Sequence, residues 1–393
     1  MGKWERVKLG TIGNFKSGGT PIRSKSEYFE GNIPWITTIS LGKTFINESD
    51  AVEYISAEAI ENSSTKLIKE NSIMVGIRVG VGKLSVNTVP MCTNQDIISI
   101  ENINERQIYK PYIVQCIKSY QPYFESQKRG ATIQGINSKI LRSLDIPLPP
   151  LETQKKIAKN LDTAAELLAM YKQQLAELDN LIKSIFYDMF GDPDNNSYGW
   201  EVSLLKDIAE IVSGVTKGRK LKETNKITIP YMRVANVQDG HLNLADIKQI
   251  EVTDLEIKKY RLNKGDLLMT EGGDPDKLGR CAIWNGEVPL CIHQNHIFRV
   301  RLNQEQILPE YASCLIGSLY GKKYFFRAAK QTTGIATINS KQLHYFPMLI
   351  PDIKLQHKFK NFVTKIEEQK TLVKKAIDET QYLFDCLMSE YFE

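Results

Sequence analysis

Long hydrophobic runs are missing from this 393-residue chain: nowhere do eighteen apolar residues follow one another, so no segment has the length and composition of a membrane-crossing helix. The opening MGKWERVKLG lacks the apolar centre of a signal peptide, and a cytoplasmic location is expected. Cysteine is scarce. Its copies stand at 92, 116, 281, 291, 314 and 386 with no CxxC pair, which fits a reduced compartment better than a disulfide framework. A dominant charge is lacking too. The formal net charge of +5 permits a nucleic-acid partner without demanding one. The hydrophobic fraction of 42% is ordinary for a globular protein, and the length calls for more than one domain.

Catalytic motifs are equally sparse. Gly42-Lys43-Thr44 resembles the tail of a phosphate loop, but Thr37 stands where the leading glycine belongs, and Gly80-Val81-Gly82-Lys83 lacks the rest of either nucleotide fingerprint. Cys281, Cys291, His293 and His296 include zinc-ligand types, yet without CxxC or HxxxH spacing core and surface roles are the better reading. No GxSxG nucleophile motif occurs, and no pair of carboxylates stands out. No catalytic residue, metal or cofactor is expected in this chain.

Glycine and proline vanish altogether between Leu151 and Phe190. Within that stretch apolar side chains fall at Ile157, Leu161, Ala164, Leu168, Tyr171, Leu175, Leu178, Ile182, Ile185 and Met189. Steps of four and three alternate throughout, which is the seam of a coiled coil. Such a helix is roughly 60 Å long at 1.5 Å per residue. Pro149-Pro150 marks its start, and Gly191-Asp192-Pro193 supplies a C-cap and a breaker.

The partner helix comes from an internal repeat. Lys3-Trp4-Glu5 returns as Gly199-Trp200-Glu201, Ile33-Pro34-Trp35 as Ile229-Pro230-Tyr231, and Cys92-Thr93-Asn94-Gln95 as Cys291-Ile292-His293-Gln294. Asn137-Ser138-Lys139 and Gln154 return as Asn339-Ser340-Lys341 and Gln356. The offset grows from 196 (Ile33 to Ile229) to 202 (Gln154 to Gln356), so the second copy has longer loops, with the turn-rich Glu271–Gly279 a natural place. The seam then continues in the last stretch as Phe359, Val363, Ile366, Val373, Ile377, Phe384, Leu387 and Tyr391, interrupted by Lys370 and Thr380. Those polar positions could fix register at a cost in stability. The chain therefore divides into globular segments at 1–150 and 192–352 and spacer helices at 151–191 and 353–393. A short link between the first helix and Trp200 predicts that the second helix runs back along the first. The expectation is an antiparallel coiled coil with pseudo-two-fold symmetry, a globule at each end.

Both globules read as α+β. Strands are predicted at Ile73–Val81, Asp96–Ile100, Leu267–Thr270 and Ile297–Leu302, and helices at Ala57–Leu67, Ile108–Gln127, Asp254–Arg261 and Pro309–Lys330. Two similar modules on a long spacer suit a target with two separated features. Half-sites on duplex DNA, one ~34 Å turn or more apart, are one such target. Candidate DNA contacts in the first globule are Arg23, Lys25, Arg78, Lys83, Asn94, Gln95, Lys128 and Arg129. In the second they are Lys217, Arg219, Lys220, Arg233, Lys277, Arg280, Gln294, Asn295, Arg327 and Lys330. Arginine can bridge guanine O6 and N7, and Asn or Gln can pair with adenine edges. The bland reading of any one of them is a solvated side chain.

The motifs Gly19-Thr20-Pro21, Tyr28-Phe29 and Gly31-Asn32-Ile33-Pro34-Trp35-Ile36 resemble the specificity subunits of type I restriction-modification systems. So does the run from Ile140 through Leu148-Pro149-Pro150-Leu151-Glu152-Thr153-Gln154 to Ile157, with the helix end Met189-Phe190-Gly191. Ile350-Pro351 through Gln356 keeps the outline in the second copy while departing from the LPPLETQ pattern. The resemblance implies two target-recognition domains, each reading half of a bipartite, asymmetric DNA site, with the helices setting the spacing. It also implies two modification subunits carrying S-adenosylmethionine and restriction subunits using ATP and Mg²⁺, and no cofactor or catalysis in this chain. The rival from another class is a protein-interaction scaffold that binds no DNA. A fused methylase would need a catalytic domain that this length leaves no room for.

Overall fold

The computed structural model describes residues 4–130, 134–219, 226–273, 278–332 and 335–392. Its contacts gather into two units, Met1–Lys172 with Lys375–Glu393, and Gln173–Lys374. Each unit thus takes one globular segment and part of both long helices, so the helix starts near 150 and 352 are not where the compact units part.

In the first unit, Arg6–Lys8 pairs antiparallel with Asp145–Pro147, tying the two ends of the globular segment together just before the helix begins. A five-stranded sheet follows in the order Asn14–Ser17, Ile97–Glu101, Ile73–Gly76, Leu84–Asn87, Phe45–Ile46. A second sheet has the order Glu53–Ile55, Ile33–Ile36, Met91–Thr93, Leu67–Ile68. Ile73–Gly76 and Ile97–Glu101 are buried along their whole length, which is why their sequences run apolar without strict alternation. Helices Lys110–Ser119 and Gln121–Gln127 cover the larger sheet through Tyr112, Ile113, Ile117 and Phe124.

The second unit repeats this plan. Glu201–Leu204 pairs with Pro347–Ile350. Its sheets run Ala209–Ser213, Ile297–Leu302, Leu267–Thr270, Cys281–Ile283, and Lys248–Val252, Ile227–Met232, Ile292–His293. A third small sheet joins Gly272–Gly273, Ile335–Thr337 and Lys330–Thr332; in the first unit a single bridge, Arg129 to Gly135, takes its place.

Both long helices span the predicted stretches, Leu151–Phe190 and Ile353–Phe392. Gly191, at φ 76°, donates its N–H to the Tyr187 carbonyl 2.9 Å away, the C-cap expected of it. In the second unit Phe359 packs edge-to-face against Phe186 and Phe190 at 5.9 and 5.4 Å between ring centres. Further along, Lys370 reaches Asp179 at 2.7 Å. One helix number falls as the other rises, so the pair is antiparallel. In the first unit Asn160 donates to the Tyr391 hydroxyl at 3.2 Å, and Ile157, Ala158 and Leu161 share a core with Phe392, against which Phe384, Leu387 and Tyr391 pack. Of the predicted seam, Ile157, Leu161, Leu168, Leu178, Phe359, Ile366 and Val373 are buried, and Leu175, Ile182, Val363, Ile377 and Phe384 are half-buried.

Several predicted elements are shorter. The helix from Ala57 stops at Glu61, where Asn62-Ser63-Ser64 favours turns. The strand from Ile73 stops at Gly76, because Gly80 and Gly82 take φ of 71° and 83° and turn the chain. The segment Ile108–Gln127 breaks at Tyr120, since Pro122 has no N–H to continue the ladder, and Pro309–Lys330 breaks at Ser318, which caps the next helix. Strands Leu267–Thr270 and Ile297–Leu302 have the predicted bounds. Part of Glu271–Gly279, proposed as the longer loop, lies outside the described residues.

Candidate nucleic-acid interface

The repeat brings the candidate residues into equivalent pairs. Trp35 pairs in parallel with Cys92 and Tyr231 with Ile292, so the true match is Cys92 with Ile292. The sequence alignment of Cys92 with Cys291 is one residue out of register, because two cysteines outweighed a strand register that sequence does not display. With that correction Asn94 matches Gln294 and Gln95 matches Asn295. The N–H of Asn94 bonds the Ile36 carbonyl and that of Gln294 the Met232 carbonyl. Lys83 matches Arg280, since their carbonyls accept from Gly76 and Thr270 in turn. Arg129, bridged to Gly135, matches Lys330, paired with Thr337.

The side chains themselves are used unevenly. Arg23 donates from Nη1 to both Glu53 carboxylate oxygens at 2.6 and 2.7 Å and lies over the Phe29 and Trp35 rings at 4.6 and 5.1 Å. Lys25 donates to the Tyr28 hydroxyl at 3.0 Å, a bond that raises its pKa above the ordinary lysine value. Gln95 accepts from Thr20 at 2.5 Å, and Asn94 is buried against Asp96. Arg219 forks onto Glu256 and also bonds the Thr216 and Glu251 carbonyls, and its hydrogen bonds hold the Glu256 carboxyl below the usual range. Arg233 is tied to Asp246 at 2.9 Å, and Arg280 donates to Gln238 at 2.9 Å. Asn295 stands 3.4 Å from His296. Lys83, Arg129, Lys217, Arg327 and Lys330 are exposed and form no ion pair with any described residue. Lys220 and Lys277 lie outside the described residues.

Two cavities gather some of these groups. Arg78, Gln127, Arg129, Gly135, Ile136 and Asn137 line one of about 380 Å³ in the first unit. Tyr320, Lys323, Tyr324 and Arg327 line another of about 320 Å³ in the second, with Asp194 paired to Lys323.

Equivalent positions carry opposite chemistry. Ile77 and Glu271 occupy one place, fixed by N–H bonds to the Asp96 and His296 carbonyls and by carbonyls accepting from Ile136 and Ile338. Around it the first unit pairs Arg78 with Asp96 at 3.4 Å, and the second pairs His296 with Glu271 at 2.6 Å. Deeper, Glu101, bound by Lys16 at 2.7 Å, matches Arg301, bound to Asp266 at 2.7 Å. Sequence reading passed over Glu271 and Asp96, whose only signal is their place in the repeat.

The four residues weighed for zinc have separate partners. His293 is fully buried, with Nδ1 3.2 Å from the Tyr260 carbonyl and Nε2 3.1 Å from that of Val212. Burial pushes it down to about 4 against the pull of those two carbonyls. Burial pushes the Cys281 and Cys291 thiols up to about 12. Among the described residues no three His, Cys, Asp or Glu side chains converge as for a metal, and no helix is long and apolar enough to cross a membrane.

The type I restriction modification DNA specificity domain matches twice, over residues 1–180 and 198–381. The chain belongs to that family. Both matches include a globular segment and most of the helix that follows it, as the duplicated fold requires. This specificity chain is 25% identical to the Type I restriction enzyme MjaIX specificity subunit of Methanocaldococcus jannaschii, over 98% of its length and 91% of the relative's. It is 36% identical to the EcoR124I/EcoR124II specificity subunit of Escherichia coli over 41% of each. Among solved structures, the type I S subunit from M. genitalium has a TM-score of 0.56 at 16% identity, covering 100% of this chain and 96% of that one. A chain from a study of complex assembly and conformational transition of the type I R-M system has a TM-score of 0.59 at 14% identity, with 99% and 97% covered. These two likenesses show the fold.

Proposed function

We propose that the chain is the DNA-reading component of a type I restriction-modification enzyme, in which each unit reads one half of a bipartite, asymmetric site. The observation that carries this is the duplicated framework with chemically different side chains at equivalent positions, Ile77 and Asp96 in one unit, Glu271 and His296 in the other. Identical modules would favour a palindrome; these favour two different half-sequences. A carboxylate accepts from cytosine N4, so Glu271 in one unit where the other has Ile77 suits different base edges. The long helices set the count of unread base pairs and carry the methylase subunits, with restriction subunits joining that assembly. S-adenosylmethionine, ATP and Mg²⁺ belong to those partners, and this chain performs no chemistry.

Linked half-site readers gain affinity through effective concentration when their spacing matches the target. The decisive experiment is sequencing of methylated adenines in DNA from cells expressing this chain with a cognate methylase, against cells lacking the chain. A split motif that depends on the chain supports the reading. Assembly of the complex without new methylation would favour a scaffold that binds protein alone.

A further inference from the structure

Reciprocal glycines control one place in the two units. In the first, Arg78 faces Gly135: a Cβ on Gly135 would lie 2.9 Å from Arg78 Cγ and 2.7 Å from the Ile77 carbonyl oxygen. In the second, Gly272 pairs with Thr337, and a Cβ on Gly272 would lie 2.6 Å from Thr337 Cγ2. The positions correspond, since Ile136 and Ile338 donate to the Ile77 and Glu271 carbonyls at 2.7 and 2.8 Å. Only one of the two facing residues can carry a side chain. The first unit gives that space to an arginine.

Arg78 then shares the cavity of about 380 Å³ with Arg129, Gln127 and Asn137. Among the described residues no carboxylate lines it. Asp96 touches Arg78 through one long contact of 3.4 Å, with half of the Arg78 side chain exposed, and the Arg129 side chain forms no ion pair with any described residue. Two arginines therefore line one concave space, with Asp96 at its edge. The second unit keeps one cation here, Lys330 in the place of Arg129, and Gly272 in the place of Arg78.

We propose that Arg78 and Arg129 clamp one phosphodiester of the DNA backbone in the half-site held by the first unit, and that Gly135 is the positioning residue that makes room for Arg78. This rests on the DNA-reading function above. Two guanidiniums suit the two non-bridging oxygens of a phosphodiester, whereas one planar fork already satisfies a guanine edge. Phosphate contacts fix register and orientation without carrying sequence. The first half-site consequently supplies more of the salt-dependent affinity than the second.

The test uses the full chain assembled with its methylase subunits and a duplex carrying the split motif that the wild type methylates, titrated across a salt series. Arg78→Ala and Arg129→Ala should each weaken binding about tenfold at ~0.15 M salt and flatten the log–log salt slope by about one, with the methylated motif unchanged. Arg129→Lys should restore the slope. Gly135→Ala, which keeps both charges but crowds Arg78, should reproduce Arg78→Ala. Unchanged affinity and slope in variants that melt like the wild type would overturn the clamp, and a relaxed motif at one half-site would assign Arg78 to base reading instead. Failure of the wild-type complex to bind the duplex would sink the DNA-reading function itself.

Discussion

Gln154 and Gln356 make the same three hydrogen bonds in the two units. Gln154 accepts from the Tyr109 N–H at 2.9 Å and donates to the Gln107 and Pro149 carbonyls at 2.9 and 2.8 Å. Gln356 accepts from the Leu308 N–H at 2.8 Å and donates to the Gln306 and Pro351 carbonyls at 3.0 and 2.8 Å. Both side chains are fully buried, and each ties the first turn of a long helix to the loop entering the covering helices. Gln154→Leu or Gln356→Leu strands three backbone groups without water, at roughly 3–5 kcal/mol. Chemical denaturation of each variant should show that loss, and a change below about 1 kcal/mol would mean the loops rearrange to pair their own polar groups.

Lys370 interrupts the seam with its side chain only 12% exposed, held by Asp179 and Glu367 at 2.7 Å each. Burial alone would lower its pKa; the hydrogen bonds it donates to those carboxylates, with their charge, outweigh it and hold the ammonium above its ordinary value. Such a pair fixes register more than it stabilises. Lys370→Leu is therefore expected to leave the melting temperature equal or higher. Asp179→Ala, on the exposed side of the pair, should lower stability by about 1 kcal/mol or less. A large loss in Lys370→Leu would show that the ion pair is a net source of stability.

Much of this architecture was legible because helices announce themselves locally. The a/d spacing from Ile157 to Met189 and the cap at Gly191 needed no knowledge of the rest of the chain. Strand register did not: Cys92 and Cys291 invite alignment by identity, while backbone pairing of Trp35 and Tyr231 sets the match one residue away. Arginine type was also ambiguous. Nothing local distinguishes Arg219, consumed by Glu256, from Arg129, which faces a cavity. Gly135 and Gly272 meet their partners across long stretches of chain, so their reciprocal roles emerge only from the fold.

His293 links stability to pH. Its imidazole lies between two carbonyls and is pushed by burial down to about 4, below the ordinary value near 6.5. The unfolded chain therefore binds the extra proton first as pH falls. This contribution is fully present above about pH 6.5 and is lost progressively toward pH 4, for a total of roughly 3 kcal/mol. Melting temperatures of the wild type should fall across that window more steeply than those of His293→Asn, which can still donate to one carbonyl but does not titrate. Parallel pH profiles for the two proteins would assign the acid sensitivity to other groups.

The spacing between half-sites should follow the length of the paired helices. The first helix runs unbroken through Lys172 and Gln173, and the second through Lys374 and Lys375, where the two compact units divide. Phe186 and Phe190 pack on Tyr311 and Phe359, so insertions near the end of the first helix would disturb a core, whereas Lys172 and Gln173 are exposed. A heptad added there, matched by one at 374–375, preserves the a/d pattern and lengthens both helices by about 10 Å. At 3.4 Å per base pair, the unread gap of the methylated motif should grow by about three base pairs while both half-sequences stay as they were. Inserting in one helix alone breaks the pairing and should abolish methylation. Half-sequences altered at an unchanged gap would show that the helices do not set the spacing.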